Sequence, residues 1–436
     1  MDCKRNVPRH LAIFGTIAFL YFALFRRASG GMIGIDLIAH FTTHNVLWWV
    51  ALALCIAIGL FITRSWSGKP VRLAVGCAML FLFSVGATGG EAPMRVALVG
   101  LVHGHAKGFL RALPGNDSAT LVAIVEPQEA LAKEYAAKYG LDSKLFYTDL
   151  ERMLVEQHPD AVLVYTAIAD HRKVIETAAR HGVSSMVEKP LSSTLEDAMA
   201  IRAIARAKHV QVLVNYETTW YASNREVFVE AGQGKLGEIR KVVVHDGHEG
   251  PKEIGVEPEF LSWLTDPVKN GAGALFDFGC YGADLMTVLM HGEAPISVTA
   301  VTQTDKPEIY PHVDDDATLI LRYAKAQAVL MPSWNWSFSR KDMEVYGTGG
   351  YAITVGTDRV RVRYRGQDAE SQTTAAPLVK AESNSLRYLA AVLHGHVDPD
   401  GDLSSLDTNM VVMQILDAGL RSAQTGRTVE IAPLSK

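Results

Sequence analysis

Between residues 95 and 214, short apolar runs alternate with longer amphipathic segments. Apolar runs bounded by turn residues are typical of buried strands, and strands that alternate with helices of about 10–15 residues indicate βαβ units. The predicted strands are 95–99, 121–125, 161–165, 184–187 and 210–214. This part of the chain is therefore expected to form a parallel sheet.

After Asn215 the pattern becomes richer in strands. The predicted strands are 239–244, 296–301, 317–323, 328–334, 342–346, 351–355 and 359–364. Because few long helices lie between them, we expect a large, mostly antiparallel sheet in a second domain.

The first ninety residues have a different pattern, with three uncharged apolar runs at 11–25, 46–63 and 73–90. The second run would form roughly 27 Å of helix, close to the bilayer core of about 30 Å. The third run follows basic residues and ends in small ones, as signal peptides also do. We expect a membrane anchor, and the distribution of basic residues places the body outside the cytoplasm. A translation start at Val71 or Met94 would instead give a secreted or a cytoplasmic protein.

The composition narrows the class of protein. Of the 436 residues, 48% are apolar, so a large core can be buried and wholesale disorder is excluded. The net charge is −5, which argues against a nucleic-acid partner, although residues 1–92 hold eight Lys or Arg against three Asp or Glu. Cys280 is the sole cysteine after residue 92, so that region has no internal disulfide.

The turn after the first strand is rich in glycine and indicates a dinucleotide site. It departs from G-x-G-x-x-G, because Gly100 fills the first position while Val102 and His105 take the other two. Glu126 ends the second strand, where a carboxylate bonds a ribose 2′-hydroxyl and repels a 2′-phosphate. NAD is therefore favoured over NADP. The predicted cofactor-binding residues are Gly100, Val102, His103, Gly104, His105, Glu126, Thr166, His171, Glu188 and Lys189.

A second group of candidate residues has two parts, one directly after a predicted strand and one on a later predicted helix. Glu188, Lys189 and Pro190 stand directly after a strand, at the edge where open α/β sheets bind ligands. Asp277, Tyr281 and Asp284 are spaced i, i+4, i+7, so an unbroken helix would present them on one face. Polar groups in an otherwise apolar helix need partners or a wet cleft, the alternative being an ordinary exposed stripe.

The Glu188-Lys189-Pro190 turn, the Asp277-x-Gly279-x-Tyr281 helix and the pattern of 417–431 resemble the glucose–fructose oxidoreductase/inositol dehydrogenase (Gfo/Idh/MocA) family. The resemblance covers about residues 94–431. It implies that Lys189, Asp277 and Tyr281 are catalytic, with Tyr281 where many relatives have histidine. An unperturbed tyrosine has a pKa near 10, so we expect Lys189 to lower it. Proton exchange is assigned to the Lys189–Tyr281 pair and orientation to Asp277.

The resulting domain plan has an apolar membrane or targeting region at 1–92, a Rossmann NAD-binding domain at 93–214 and a sheet domain at 215–436. Family members often use this sheet for dimer contacts, so the resemblance implies a homo-oligomer. The predicted substrate-binding residues are Asn215, His248, Trp263 and Asp284. Two histidine pairs, His103 with His105 and His245 with His248, have spacings that metal sites also use, but no metal is expected.

We expect an NAD-dependent oxidoreductase that transfers hydride between nicotinamide and a secondary alcohol of a sugar, polyol or derivative. One alternative is a glycoside hydrolase-like enzyme that uses tightly bound NAD in a closed cycle of oxidation, elimination and reduction. Another is a non-catalytic, membrane-tethered binding protein on the same scaffold, which the altered glycine turn would suit.

Overall fold

The computed structural model describes residues 92–432. The three apolar runs at 11–25, 46–63 and 73–90, and the membrane anchor predicted from them, lie outside the described residues. Within 92–432, no helix combines the length and the apolar character needed to cross a membrane.

The chain from Met94 to Asn215 forms a six-stranded sheet in which every neighbouring pair of strands is parallel. Its strands are β1 Met94–Val99, β2 Ala119–Val125, β3 Phe146–Tyr147, β4 Ala161–Val164, β5 Ser184–Glu188 and β6 Val212–Asn215. The order β3-β2-β1-β4-β5-β6 is that of a Rossmann fold, whose strand order reverses next to β1. The predicted parallel sheet is confirmed.

Helices connect these strands as βαβ units. They are α1 His105–Ala112, α2 Glu129–Tyr139, α3 Leu150–Gln157, α4 His171–Arg180 and α5 Leu195–Lys208. The start of α5 follows directly from the sequence, because the Thr194 hydroxyl accepts from the Asp197 backbone N–H at 3.1 Å and donates to the Asp197 carboxylate at 2.9 Å.

The second sheet has nine strands. They are β7 Ile239–Gly247, β8 Ser297–Gln303, β9 Asp316–Arg322, β10 Gln327–Ser333, β11 Arg340–Gly347, β12 Gly350–Val355, β13 Arg359–Tyr364, β14 Ser371–Thr374 and β15 Val429–Glu430. Their order is β14-β13-β12-β11-β7-β10-β9-β8-β15. Only β7 and β10 pair in parallel, so the predicted, mostly antiparallel sheet is confirmed as a mixed sheet.

One face of this sheet is covered and the other is exposed. The remaining helices are α6 Ala222–Gly232, α7 Pro258–Leu264, α8 Pro267–Asn270, α9 Ala274–Asp277, α10 Gly279–Leu289, α11 Ser385–Leu393 and α12 Leu406–Thr425. Helices α10 and α12 pack on the covered face, and α12 also contacts α5 of the first domain. On the opposite face, Val301 is 61% exposed and Ile320 is 43% exposed.

Candidate active site

Lys189 lies where β5 ends, at the carboxyl edge of the parallel sheet, and is followed by a cis bond to Pro190. Its side chain is only 8% exposed. The Lys189 ammonium donates to the backbone oxygen of Asp277 at 2.7 Å and forms an ion pair with one carboxylate oxygen of Asp277. The second carboxylate oxygen accepts from the indole N–H of Trp334 at 2.9 Å. Asp277 is therefore held from both domains.

The buried Lys189–Asp277 pair is charged at neutral pH. Burial by itself lowers the pKa of Lys189, but the adjacent Asp277 carboxylate more than offsets this and raises it. Burial raises the pKa of Asp277, and the Lys189 ammonium again prevails and lowers it. Each group thus keeps its partner ionised, and the ammonium carries protons that it can direct at a substrate oxygen.

Tyr281 lies beside this pair, although the predicted continuous helix is broken. Helix α9 ends at Asp277 and α10 begins at Gly279, with Phe278 between them. The Lys189 ammonium is 5.1 Å from the centroid of the Tyr281 ring. On the sequence evidence alone, Asp277 and Tyr281 were expected together, and they do lie at one site.

The expectation that Lys189 lowers the pKa of Tyr281 is wrong in sign. Burial of the ring, which is 2% exposed, raises that pKa well above 10, and the charges of Glu217 and Asp277 act in the same direction. Tyr281 is therefore a protonated hydrogen-bond donor at neutral pH. It is not a base in this state of the protein.

His248 supplies a further donor. Its ring contacts Phe278 edge-on, with the centroids 4.9 Å apart. Its Nδ1 accepts from the Gly250 backbone N–H at 2.9 Å, which places the proton of the neutral ring on Nε2. Burial lowers the pKa of His248, and the nearby lysines Lys341 and Lys189 lower it further, so the ring is neutral at neutral pH.

The two glycines of the turn after β1 differ in how strictly they are required. Gly100 has φ +86°, and a Cβ there would lie 2.8 Å from the Tyr165 backbone oxygen and 2.9 Å from the Thr166 nitrogen. Only glycine fits this position. Gly104 has φ −56°, and a Cβ there would make only ordinary contacts, the nearest at 3.4 Å to a Glu257 side-chain oxygen, so this position does not require glycine.

Glu126 fixes this turn from the second strand. Its carboxylate accepts from the backbone N–H groups of Leu101 and Gln128, both at 2.8 Å. Burial raises its pKa, while these two hydrogen bonds act against the rise. Because a carboxylate offers about four acceptor positions, two remain for ribose hydroxyls. This position and the close packing at Gly100 fit an NAD molecule bound along the sheet edge.

A polar chain joins the glycine turn to the Lys189 turn. His105 Nδ1 is 2.9 Å from one oxygen of Glu188, and the Asn215 amide donates to the other oxygen at 2.9 Å. Burial raises the pKa of Glu188, but His105 and Asn215 lower it to about 2. Burial lowers the pKa of His105, and Glu188 reverses this and raises it.

His103 lies in an aromatic group rather than at an open ligand position. Its ring centroid is 4.7 Å from that of Phe260 and 5.5 Å from that of Trp263, and burial lowers its pKa well below 6.5. The ligand atoms of His103, His105 and Glu188 lie within 4.8 Å of one another, as a metal would require. The Glu188 oxygens, however, are already bonded to His105 and Asn215.

Three other predicted residues contact the turns of the candidate site. Trp263 is buried and donates to the Val102 backbone oxygen at 3.2 Å. His171 is fully buried, with Nδ1 3.2 Å from the Leu191 backbone oxygen. Thr166 packs beside Gly100 and donates to the Ala167 oxygen at 3.0 Å. These residues hold the turns that carry the candidate site.

Asp284 makes no hydrogen bond to the Lys189–Asp277 pair or to Tyr281. It is fully buried, and neither carboxylate oxygen has a hydrogen-bond partner within the described residues. Burial raises its pKa well above 3.8, so it is uncharged in the interior. The break at Phe278 interrupts the helix between Asp277 and Asp284, so the predicted unbroken i, i+7 face is not formed.

Lys341 is a site residue that the sequence analysis missed. It lies on β11 with its ammonium 4.9 Å from the centroid of the Tyr281 ring, and it pairs with Glu217. Its charge does not distinguish Lys341 from other lysines in the sequence. The alternation along β11 puts it on the same strand face as the buried Met343 and Val345, and this alternation was the one signal that its side chain points to the covered face.

Two protein-family models match this chain. A model of the oxidoreductase family with an NAD-binding Rossmann fold matches residues 94–216, and a model of the GFO/IDH/MocA C-terminal domain matches residues 230–353. Together they cover more than half of the chain.

Similar proteins include two bacterial enzymes. The 1,5-anhydro-D-fructose reductase of Ensifer adhaerens is 24% identical over 337 residues, covering 74% of this chain and 93% of that protein. The inositol 2-dehydrogenase of Rhizobium meliloti is 24% identical over 340 residues, covering 75% of this chain and 96% of that protein.

Solved structures share the fold. An inositol dehydrogenase homolog from Azotobacter vinelandii, complexed with NAD⁺, has a TM-score of 0.68 at 22% identity, covering 78% of this chain and 98% of its own. An aldose-aldose oxidoreductase from Caulobacter crescentus, complexed with glycerol, has a TM-score of 0.66 at 24% identity, covering 78% of this chain and 100% of its own. This chain belongs to the Gfo/Idh/MocA family of NAD-binding oxidoreductases.

Proposed function

We propose that this protein oxidises or reduces a secondary alcohol of a polyol or sugar, with NAD as coenzyme. The observation that carries the proposal is the buried, charged Lys189–Asp277 pair beside Tyr281, at the carboxyl edge of a sheet that fits NAD. Bound NAD would accept or donate the hydride at its nicotinamide ring.

The residues of the chain manage the substrate oxygen. In this proposal the Lys189 ammonium, the Tyr281 hydroxyl and the His248 Nε2–H are three donors for an oxygen that becomes negative as hydride moves. Preorganised donors of this kind stabilise an alkoxide-like transition state in either direction. In reduction, Tyr281 passes its proton to that oxygen, and Lys189 stabilises the tyrosinate that remains. Oxidation is the reverse, in which the tyrosinate, stabilised by Lys189, takes the proton of the alcohol as hydride leaves. Asp277 is a positioning residue, because it holds the ammonium in place.

We propose NAD rather than NADP because Glu126 directly follows β2, and its carboxylate would repel a 2′-phosphate. Titration of the full chain with each coenzyme tests this choice. A tighter Kd for NADP would contradict it. The variant Glu126→Gln, which keeps the side-chain shape and removes the charge, should narrow the difference between the two coenzymes.

The redox proposal is tested by incubating the full chain with NAD and a panel of myo-inositol, D-glucose, D-xylose and D-galactose, and by following NADH absorbance. NADH formation with at least one alcohol, abolished in Lys189→Met, supports the proposal. No NADH with any panel member, and no reverse reaction with the corresponding ketones or lactones, would contradict it. The hydrolase and binding-protein alternatives are not favoured, because similar proteins are named dehydrogenases and reductases.

We also propose that two copies associate through the exposed face of the nine-stranded sheet. Val301 and Ile320 present apolar side chains there, at 61% and 43% exposure. Light scattering of the full chain should give the mass of a multimer, and Ile320→Glu should reduce it. A monomeric wild-type protein at micromolar concentration would contradict this.

Membrane attachment through residues 1–92, with the body outside the cytoplasm, is a separate proposal that rests on their apolar runs. Partition of the native protein between membrane and soluble fractions after alkaline extraction tests attachment. Recovery in the soluble fraction would contradict it, and accessibility of the body to protease in intact cells tests its side.

A further inference from the structure

We propose that Lys341, Glu217 and Asp246 form a polar subsite that recognises hydroxyl groups of an uncharged polyol or sugar and disfavours sugar acids and sugar phosphates. The inference deepens the proposed function and rests on it for the position of the reacting carbon. It names a substrate class that the Lys189 side of the site does not determine.

Strand pairing places two of these residues side by side. In the antiparallel register of β11 with β7, Lys341 is directly opposite Asp246. Both point to the covered face, as do the buried neighbours Val244 and Met343. Lys341 therefore extends over Tyr281, with its ammonium 4.9 Å from the ring centroid, where Lys189 lies at 5.1 Å.

The third member comes from the segment that follows the first domain. Glu217 begins the short 3₁₀ helix Glu217–Trp220 that follows β6, and it forms an ion pair with Lys341 while accepting from the Tyr221 hydroxyl. The side chains of Lys341 and Glu217 are 20% and 49% exposed. Both side chains are more exposed than those of the Lys189–Asp277 pair, which are each 8% exposed, so a ligand can reach them.

Asp246 supplies an independent observation that points to a ligand. It is 2% exposed, and its Oδ1 has no hydrogen-bond partner within residues 92–432. Leaving such a group unpaired costs free energy that a hydrogen bond to a substrate hydroxyl would recover. Burial raises the pKa of Asp246 well above 3.8, against the effect of Lys341, so its carboxyl group is neutral and can both accept and donate.

The charges around Tyr281 balance. Lys189 is neutralised by Asp277 and Lys341 by Glu217, while His105 is paired with Glu188. Among residues 92–432, these three pairs leave no surplus cation at Tyr281 to offset the desolvation of a carboxylate or a phosphate. Hydroxyl groups face no such penalty, because they can accept from Lys341 and donate to Asp246.

Matched ligand pairs test this selectivity by equilibrium binding, so turnover is not required. The full chain with saturating NAD is titrated calorimetrically with D-glucose and D-glucuronate, then with D-galactose and D-galacturonate. In each pair the acid differs only by oxidation at one carbon. We expect the neutral member of at least one pair to bind at least tenfold more tightly.

Three variants test which residues determine the selectivity between neutral sugars and sugar acids. Glu217→Gln leaves Lys341 uncompensated and should shift the ratio of Kd values at least tenfold towards the acid. Lys341→Met should weaken binding of the neutral sugar at least tenfold. Lys241→Met is the control, because Lys241 lies on β7 and faces away, bonding Gln327 at 3.0 Å, and it should change each Kd less than twofold.

The outcomes separate the subsite from the redox function. Equal affinity for acid and neutral sugar, no binding of any neutral sugar, or a ratio that Glu217→Gln leaves within twofold would each overturn the subsite. NADH formation without selectivity would overturn the subsite and retain the proposed function. Selective binding without NADH formation would retain the subsite and contradict the proposed function. Thermal unfolding of each variant checks that it is folded.

Discussion

Two lysines approach the ring of Tyr281, and their surroundings differ. Lys189 and Asp277 are each 8% exposed and make additional hydrogen bonds to backbone and to Trp334. Lys341 and Glu217 are 20% and 49% exposed. A buried pair that loses one partner leaves a desolvated charge, whereas an exposed pair exchanges its partner for water. The first arrangement suits fixed chemistry, and the second suits contacts that must be exchanged with a ligand.

The largest effect is expected where the buried pair is broken. In Lys189→Met we expect kcat to fall roughly 10²–10³-fold, because a donor to the reacting oxygen is lost. We also expect the free energy of unfolding to fall by about 3–5 kcal/mol, since Asp277 remains buried and unpaired. NAD should still bind. Steady-state kinetics, denaturant unfolding and coenzyme titration measure these three quantities, and full retained activity would refute the catalytic assignment.

The tight packing on the Lys189 side extends to the backbone of the glycine turn. Gly100→Ala should destabilise the fold by roughly 2–5 kcal/mol and weaken NAD binding, because the methyl group meets backbone at 2.8 Å in a positive-φ position. Gly104→Ala is the matched control and should change stability by less than about 1 kcal/mol. Equal effects of the two substitutions in denaturant unfolding and NAD titration would contradict this account.

The buried histidine His171 should make the stability of the protein sensitive to acid. Burial lowers the pKa of His171 to about 4, so the folded protein keeps the ring neutral while an unfolded chain protonates it near pH 6.5. The contribution of the neutral His171 ring to the free energy of unfolding is therefore fully present above about pH 6.5. It falls by roughly 3 kcal/mol as the pH drops towards 4.

Denaturant unfolding at several pH values measures this decline for wild type and for His171→Gln. The variant should lose less stability on acidification than wild type, because the titrating ring is gone. Parallel curves for the two proteins would show that His171 does not carry the effect. Lys341→Met, which leaves His171 in place, should keep the acid sensitivity of wild type.

The smallest effect on stability is expected at the exposed pair. Lys341→Met should change the free energy of unfolding by less than about 1 kcal/mol, since solvent-exposed pairs contribute little. A loss as large as that of Lys189→Met, measured in the same denaturant titration, would remove the distinction between the two lysines.

Sequence alone could predict the parallel sheet, the second sheet and the Lys189 turn, because local patterns determine strand ends. It also placed Asp277 and Tyr281 together. Sequence alone could not predict that Lys341 lies beside Asp246. Their contact depends on the register of β11 with β7, and these strands are far apart in the chain. Trp334 was recognisable as a large aromatic residue, but its role as a donor to Asp277 needs the folded position of β10.

Two misassignments have local physical causes. Asp284 was placed with Asp277 because the spacing assumed an unbroken helix, and the break at Phe278 invalidates that geometry. The pKa of Tyr281 was expected to fall because one neighbouring cation was visible, whereas burial depends on packing from both domains. Both errors concern quantities that only tertiary structure determines.

The hydrogen bond from Trp334 to Asp277 has an evolutionary consequence. Lys189 is encoded with the coenzyme-binding half of the gene, whereas Asp277 and Trp334 are encoded with the other half. A recombination event that exchanged the second half for one without an acid and an indole donor at these positions would leave the lysine as an uncompensated buried cation. The two halves are therefore expected to be inherited as a unit, and chimaeras between distant homologues should function only when both positions are preserved.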